Sequence, residues 1–149
     1  MSGNEAAILV VEDNADDVLL IQRAFDKAKL ANPLHFVTDG DKALQYLSGT
    51  GPYADRSSHP LPTMMLLDLK LPRRSGFEVL EWVRREPALR VLPVVVLTSS
   101  KEDVDVRRAY ALGANTYLAK PVALDGLVEM VRTLGLYWFV TAQRPAIAG

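Results

Sequence analysis

Residues 64–76, MMLLDLKLPRRSG, contain the pattern that decides the fold of this chain. The four apolar residues at the start carry no polar alternation, which is typical of a strand buried on both faces of a parallel sheet. Asp68 ends the apolar run, and a short loop leads to Ser75, a residue type that often caps the N-terminus of a helix. The stretch therefore predicts a buried strand over residues 64–67 and a helix over residues 75–85.

The same alternation of apolar runs and helical spacing continues in both directions from this stretch. Short β-branched or aliphatic runs predict four more strands, over residues 7–11, 34–37, 94–97 and 116–119. Between them, apolar residues recur at helical spacing and mark one face of each segment. Five strands that alternate with five helices predict an α/β fold, a flavodoxin-like (βα)5 doubly wound parallel sheet with strand order 2-1-3-4-5.

Three segments have a less regular pattern. Residues 102–112 are helical by propensity but have an ambiguous apolar face, and Gly113 is predicted to end that helix. Residues 48–62 are rich in Ser, Gly and Pro, so they predict a long loop before the third strand. A short C-terminal extension, residues 135–149, follows a core of about residues 7–134. Because this extension is too short for a second domain, we expect the chain to form a single domain.

The composition is that of an ordinary water-soluble domain and excludes several classes of function. The 149 residues carry a net charge of −1, so no overall positive field attracts nucleic acid or an anionic membrane. The absence of cysteine excludes a disulfide framework and thiol chemistry. The N-terminus lacks the basic region of a secretory signal, and no apolar stretch approaches the roughly 20 residues that span a bilayer. We expect a soluble, cytoplasmic protein that binds neither nucleic acid nor a membrane.

Acidic side chains follow two strands of the predicted sheet, at the edge where such sheets bind ligands. Glu12 and Asp13 come directly after the first strand, and Asp68 closes the third. These strands meet at the switch point of the predicted topology, outside their carboxyl ends. Two carboxylates about 4 Å apart repel each other by about 4 kcal/mol at an effective dielectric of about 20, and a divalent cation removes that repulsion. Oxygen-only ligands favour Mg²⁺ over zinc, so we predict a Mg²⁺ site at this edge of the sheet.

Two more polar residues follow the remaining strands and complete a site for a phosphoryl group. Thr98 closes the fourth strand, and Lys120 follows the fifth. A carboxylate can attack phosphorus and form an aspartyl-phosphate, which makes Asp68 the candidate nucleophile. The cation, the hydroxyl and the ammonium would then surround the phosphoryl oxygens and stabilise their charge. A purely structural role for Thr98, as the N-cap of the following helix, remains open.

The residues at these strand ends resemble the receiver domains of two-component response regulators. The resemblance extends from Ile8 to about Leu134 and rests on motifs in the same order: Glu12-Asp13, Leu66-Leu67-Asp68 with Pro72 and Gly76, Thr98-Ser99, and Lys120-Pro121. It implies a phosphoacceptor that signals through protein–protein contacts and catalyses only its own phosphorylation and dephosphorylation. The phosphodonor that it implies is a phosphohistidine on a sensor histidine kinase.

The resemblance also implies which residues hold the metal ion and accept the phosphoryl group. Asp68 is the phosphoacceptor, and Asp13 and Asp68 are the carboxylate ligands of Mg²⁺. Glu12 binds the ion through water, and Lys70 binds it through its backbone carbonyl. Because Lys70 also places a cation beside the site, it is expected to affect Mg²⁺ binding or the lifetime of the phosphate.

The same resemblance assigns a conformational switch to the fourth and fifth strands. Thr98 and Tyr117 are the switch pair, with Tyr117 turning inward once Thr98 has moved towards the phosphate. Lys120 contacts the phosphate, and its peptide bond to Pro121 is expected to be cis. A tyrosine in an edge strand could also serve only in packing, so that reading of Tyr117 stays open.

Two features exceed a minimal receiver domain, namely the loop over residues 48–62 and an apolar tail after the fifth helix. Both resemble the small regulators of bacterial and cyanobacterial phytochromes, so a phytochrome is the implied sensor kinase. The tail consists of Leu136, Tyr137, Trp138, Phe139 and Val140. Because aromatic residues are enriched at interface cores, we expect a homodimer through the fourth helix, the fifth strand, the fifth helix and this tail. The alternative is that the tail packs on its own domain.

Rival functions on the same fold fit the sequence less well. An aspartyl phosphatase of the haloacid-dehalogenase type needs a second aspartate two residues after the nucleophile, where this chain has Lys70. A flavodoxin-like cofactor binder needs a Ser/Thr/Gly loop after the first strand, whereas residues 12–17 are mostly acidic and would repel phosphate. A scaffold that had lost phosphorylation would be expected to lack one of the motif positions, and all of them are present.

Overall fold

In the part of the chain that the computed structural model describes, residues 7–120 and 123–135, five parallel strands form one sheet. The strand order β2-β1-β3-β4-β5 confirms the predicted α/β flavodoxin-like fold. The strands are β1 (Ile8–Val11), β2 (Leu34–Val37), β3 (Met64–Leu67), β4 (Val94–Thr98) and β5 (Thr116–Ala119). The helices are α1 (Ala15–Lys27), α2 (Gly40–Ser48), α3 (Gly76–Arg85), α4 (Asp103–Ala111) and α5 (Leu124–Gly135). All five strands agree with the sequence prediction to within one residue at either end.

Two apolar cores lie on opposite faces of this sheet. Successive residues of a strand point to opposite faces, so the uninterrupted apolar runs of β1, β3 and β4 supply both cores. In β1, Ile8 and Val10 pack with α1 and α5, whereas Leu9 and Val11 pack with α2 and α3. The edge strand β5 is less buried than the three central strands. The polar residues at the strand ends are therefore carried by a rigid apolar scaffold.

The N-terminus of α3 is fixed close to the end of β3 by a capping box. The Ser75 hydroxyl accepts a hydrogen bond from the Glu78 amide at 3.2 Å, and the Glu78 carboxylate accepts one from the Ser75 amide at 3.1 Å. The next residue, Gly76, lies so close to β3 that an added Cβ would stand 2.2 Å from the carbonyl oxygen of Asp68. The predicted N-cap is confirmed, and only glycine fits at the position that follows it.

Most of the surface of helix α4 is exposed to solvent, which explains why its sequence shows no clear apolar face. Of its residues only Ala109 is buried, while the side chains of Val104 and Tyr110 are largely exposed. Gly113 follows the helix with a φ of 104°, a value that L side chains rarely adopt. The prediction that Gly113 ends this helix is confirmed.

The stretch between α2 and β3, predicted as a loop, contains a short 3₁₀ helix, Gly51–Tyr53, and is held to α2 by one arginine. The Arg56 guanidinium donates to the carbonyl oxygens of Tyr46 at 2.8 Å and Leu47 at 2.9 Å, which lie in the last turn of α2. The Tyr46 hydroxyl in turn donates to the carbonyl oxygen of Pro60 at 2.9 Å. The segment is therefore anchored to the domain by side-chain hydrogen bonds, which its composition alone did not indicate.

Arg84, in the last turn of α3, connects segments that precede β4 and β5. Its guanidinium donates to the carbonyl oxygens of Leu92 at 2.7 Å and Arg90 at 3.1 Å. It also donates to the Gly113 carbonyl, at 2.7 Å from Nη2, and to the side-chain oxygen of Asn115 at 3.1 Å. These contacts lie at the amino ends of the strands, opposite the edge at which the predicted site lies.

Two predictions concern residues outside those that the structure describes. The tail, residues 136–140, is one, and the cis peptide bond between Lys120 and Pro121 is the other. Both stay predictions from sequence. Within the described residues, no helix is both long enough and apolar enough to cross a membrane.

Candidate functional site

The carboxyl ends of β1 and β3 bring three carboxylates together, as the sequence predicted. The register pairs Val11 with Leu67, so the residues that follow them lie side by side. Glu12, Asp13 and Asp68 each offer a carboxylate oxygen within 4.8 Å of the other two. Glu12 and Asp68 are buried, while Asp13 is exposed to solvent. This set of oxygen donors, with one side open to water, fits a hard divalent cation such as Mg²⁺.

The two buried carboxylates are held by backbone amides as well as by a lysine. One Glu12 oxygen accepts a hydrogen bond from the Asn14 amide at 3.1 Å, and one Asp68 oxygen accepts one from the Lys70 amide at 3.2 Å. Burial raises the pKa of Glu12, and the hydrogen bonds from Lys120 and Asn14 oppose that rise only in part. The side chain of Lys70 is exposed. That its backbone carbonyl binds the metal ion stays a prediction.

The ammonium of Lys120 lies at the centre of the acidic residues. Its Nζ atom is 2.6 Å from a Glu12 oxygen, 2.8 Å from an Asp17 oxygen and 3.2 Å from an Asp68 oxygen. Burial alone would lower the pKa of Lys120, but the hydrogen bonds to Asp17 and Glu12 and the charge of Asp68 outweigh it and raise the pKa. The lysine is therefore charged throughout the physiological pH range. It places a positive charge beside the predicted phosphoacceptor.

Sequence reasoning missed the part that Asp17 plays in this arrangement. Asp16 and Asp17 both lie in the first turn of α1, where acids favour a helix N-terminus, and the sequence indicates no contact of either with Lys120. The structure separates them, because Asp17 is an ion-pair partner of Lys120 and Asp16 is exposed. No feature of the sequence distinguishes the two residues. The direction of α1 relative to β5 does, and that is a tertiary property.

The Thr98 hydroxyl is buried at the end of β4 and finds no hydrogen-bond partner among the described residues. It does not cap α4, because the N-cap residue of that helix is Glu102 and makes no side-chain capping bond. A buried hydroxyl without a partner costs free energy, so such groups are uncommon unless a ligand uses them. An added group with acceptor oxygens, such as a phosphoryl group, would satisfy this donor.

The Tyr117 ring already contacts the rest of the domain in this structure, and its inward turn after Thr98 has moved stays a prediction. The ring is partly buried against the apolar core, and its hydroxyl donates to the Ser100 carbonyl oxygen at 2.9 Å. Its backbone amide donates to the Tyr110 hydroxyl at 3.1 Å. Burial raises the pKa of Tyr117, so the hydroxyl stays protonated at neutral pH. Tyr117 thus connects β5 with the loop that follows Thr98 and with α4 in the structure as it stands.

Comparison with known proteins identifies relatives over nearly the whole chain. The sequence profile described as "Response regulator receiver domain" matches residues 8–132. The response regulator Rcp1 of Synechocystis sp. is 37% identical over 139 residues, which cover 93% of this chain and 92% of Rcp1. A structure of Rcp1 in its Mn²⁺-bound form superposes with a TM-score of 0.82.

Two further solved structures resemble the chain closely. One is the response regulator RPA3017 in red light signaling of R. palustris, with a TM-score of 0.88 and 36% identity. The other is the phosphorylated cyanobacterial phytochrome response regulator RcpA, with a TM-score of 0.85 and 36% identity. Each comparison covers 95% of this chain and 99% of the related one.

Proposed function

The chain belongs to the response regulator receiver domain family, and we propose that it accepts a phosphoryl group on Asp68. The observation that carries this proposal is the position of Asp68 between an ammonium and two further carboxylates. Its Oδ2 atom is 3.2 Å from Lys120 Nζ, and it shares a 4.8 Å cluster of acidic oxygens with Glu12 and Asp13. Thr98 adds a buried donor at the adjoining strand end.

We assign the metal site to the same cluster. Asp13 and Asp68 would hold Mg²⁺ directly, Glu12 would hold it through water, and Lys70 would contribute its backbone carbonyl. When bound, the ion supplies positive charge that stabilises the phosphoryl oxygens. The oxygen-only donor set supports this assignment, and so does the Mn²⁺-bound form of Rcp1. Three carboxylates contact the ammonium of Lys120, and Asp13 adds a fourth negative charge to the site, so a second source of positive charge is needed before an anionic phosphodonor can approach.

The transfer step forms one bond and breaks one. An oxygen of the Asp68 carboxylate forms a bond to phosphorus, while the phosphorus–nitrogen bond of a donor phosphohistidine breaks. The electron pair of that bond stays on the imidazole, which leaves neutral when its other nitrogen already carries a proton. Lys120 and the Thr98 hydroxyl donate hydrogen bonds to the phosphoryl oxygens, so the protein contributes mainly positioning and charge stabilisation.

The partner that we propose is a sensor histidine kinase, and more narrowly a phytochrome. Receiver domains pair with histidine kinases, and two of the similar structures are described as regulators in red light signaling and of a cyanobacterial phytochrome. The protein would signal through contacts with other proteins. Transfer of a labelled phosphoryl group from autophosphorylated candidate phytochrome kinases to the wild type, with the Asp68→Asn variant as control, tests this assignment.

Phosphorylation by a small donor tests the central proposal. With Mg²⁺ and acetyl phosphate, the wild type should gain one acid-stable, hydroxylamine-labile phosphoryl group, detected by intact-protein mass spectrometry. Asp68→Asn should gain none, and Asp13→Asn should gain far less because the metal site is damaged. Asp16→Asn is the matched control, since it removes an exposed acid outside the cluster. Normal labelling of Asp68→Asn would exclude Asp68 as the phosphoacceptor.

A conformational response through Thr98 and Tyr117 belongs to the same proposal. The phosphoryl group adds roughly two negative charges, and the Thr98 hydroxyl would move to donate to it. Because Tyr117 is already bonded to the Ser100 carbonyl, a shift of this loop would pass directly to β5 and α4. Tyr117→Phe, which removes only the hydroxyl, should weaken the change in α4 amide chemical shifts on addition of beryllofluoride. An unchanged response would show that the hydroxyl has no part in the switch.

We also propose a homodimer through α4, β5, α5 and the apolar tail with Tyr137, Trp138 and Phe139. The exposed side chains of Val104 and Tyr110 on α4 support an interface on this face. Sedimentation of the wild type at tens of micromolar should show a dimer, and a chain truncated after residue 135 should be monomeric. A truncated chain that dimerises as well as the wild type would rule out the tail.

A further inference from the structure

Asp17 is the one partner of Lys120 that the phosphorylation chemistry leaves untouched. An ammonium has three N–H donors, and in this structure each has a carboxylate acceptor, in Glu12, Asp17 and Asp68. We propose that Asp17 is a positioning residue that holds Lys120 over the phosphoacceptor throughout the reaction. This inference rests on the proposed function and concerns how the lysine is aimed.

The other two carboxylates change their role when the phosphoryl group arrives. Asp68 becomes the phosphorylated group and loses a charged oxygen to the new bond. Glu12 belongs to the 4.8 Å cluster that is proposed to hold the metal ion, whereas Asp17 lies outside that cluster. One N–H of the ammonium therefore stays hydrogen-bonded to Asp17, and the other two are free to turn towards the phosphoryl oxygens. Without Asp17, the flexible four-carbon side chain of Lys120 would lose the hydrogen bond that keeps its ammonium in place during the reaction.

The backbone fixes Asp17 in turn against the acidic cluster. The Asn14 side chain caps α1 by accepting a hydrogen bond from the Asp17 amide at 3.0 Å. The Asn14 amide donates to the Glu12 carboxylate at 3.1 Å. Asn14 therefore links the first turn of α1 to the acidic cluster, because its side chain contacts the Asp17 amide and its own amide contacts Glu12. Asp17 itself is only 29% exposed at the side chain, so its ion pair with Lys120 is partly protected from water.

The neighbouring acid provides a control for long-range electrostatics. Asp16 lies in the same first turn of α1 and carries the same charge, but it is exposed and forms no ion pair with Lys120. Asp17→Asn and Asp16→Asn remove the same charge from the same helix terminus. A difference between the two variants therefore reports contact with Lys120 and excludes both the overall field and the helix dipole.

The experiment compares phosphorylation by acetyl phosphate in the wild type, Asp16→Asn, Asp17→Asn and Asp17→Glu. We expect Asp17→Asn to reduce the maximal rate, and the affinity for beryllofluoride, by about five- to tenfold relative to Asp16→Asn. Asp17→Glu should recover most of the loss because it restores a carboxylate within reach. Mg²⁺ affinity, measured by calorimetry without a phosphodonor, should agree between the two asparagine variants within about twofold, since Asp17 is not a proposed ligand.

A double-mutant cycle shows whether Asp17 acts through the lysine. In a Lys120→Gln background, Asp17→Asn should have no further effect on the rate. The inference is overturned if Asp17→Asn behaves like Asp16→Asn, if it reacts faster, or if its whole loss lies in Mg²⁺ affinity. If Asp17→Asn does not fold, as judged by circular dichroism, a wild-type rate in a folded Asp17→Glu variant supports the inference and a rate tenfold lower overturns it. Failure of the wild type to become labelled would instead refute the proposed function, and this inference with it.

Discussion

Replacement of Thr98 by valine should separate the stability of the protein from its function. Valine has nearly the same shape as threonine and favours a strand equally well, but it lacks the hydroxyl that finds no partner among the described residues. An unsatisfied buried hydroxyl costs about 1–3 kcal/mol, so Thr98→Val should stabilise the unphosphorylated protein by about 1–2 kcal/mol. For a domain of this size, that corresponds to a rise in melting temperature of roughly 3–6 °C.

The stabilising effect of the substitution should be largely cancelled when a phosphoryl mimic is present. With Mg²⁺ and beryllofluoride at about 100 times the dissociation constant, the wild type gains about 2.7 kcal/mol by mass action. The variant lacks one hydrogen bond to a charged group, worth about 1.5–3 kcal/mol, so most of this gain is lost. Thermal unfolding followed by circular dichroism, with and without beryllofluoride, measures both effects at a fixed protein concentration.

The matched control is Ser100→Ala, two residues away. The Ser100 hydroxyl donates to Asp105 at 2.5 Å, so removing it should destabilise the protein by about 1–2 kcal/mol in the absence of any ligand. Opposite signs for the two hydroxyl deletions are the outcome that the structure predicts. A Thr98→Val variant that is less stable than the wild type, or that binds beryllofluoride equally well, would refute the reasoning.

Three further predictions concern the scaffold. Arg84→Met, measured by urea unfolding, should lose about 2–4 kcal/mol because the partly buried carbonyls of Leu92 and Gly113 lose their donors, whereas the exposed Arg85→Met should stay within about 0.5 kcal/mol. Gly76→Ala should lose about 1–3 kcal/mol and slow phosphorylation, because its Cβ would stand 2.2 Å from the Asp68 carbonyl oxygen; unchanged stability would contradict this close approach. Tyr46→Phe should cost about 1 kcal/mol at neutral pH. Because burial raises the pKa of Tyr46 to about 12 from 10.0, that cost should shrink as the pH rises above 10.0, and a constant difference would argue against a buried hydroxyl.

The elements of the fold could be read from the sequence because their signals are local. The all-apolar runs of β1, β3 and β4 predict buried strands, and the structure buries every residue of those strands. The N-cap at Ser75 and the helix end at Gly113 depend on the chemistry of one or two residues. Strand order followed because right-handed crossovers leave few topologies for this alternation.

The candidate site could be predicted for a related reason. In a parallel sheet, the residues after successive strands arrive at one edge, so Glu12, Asp13, Asp68 and Lys120 could be placed together without coordinates. The same argument gives no side-chain contacts. It could not show that the Thr98 hydroxyl lacks a partner, or that the Tyr117 ring already lies against the core.

What only the tertiary structure decided depends on the relative placement of elements that are distant in sequence. Asp16 and Asp17 are both acids in the first turn of α1, and the sequence does not distinguish them. The direction of α1 relative to β5 places Asp17, and not Asp16, within ion-pair distance of Lys120. In the sequence, Arg84 and Arg56 are indistinguishable from solvent-exposed arginines, yet each donates hydrogen bonds to backbone carbonyls of another segment. Periodicity and capping are set within a few residues of the chain, whereas a side chain's partner across the fold is set by how helices and strands pack.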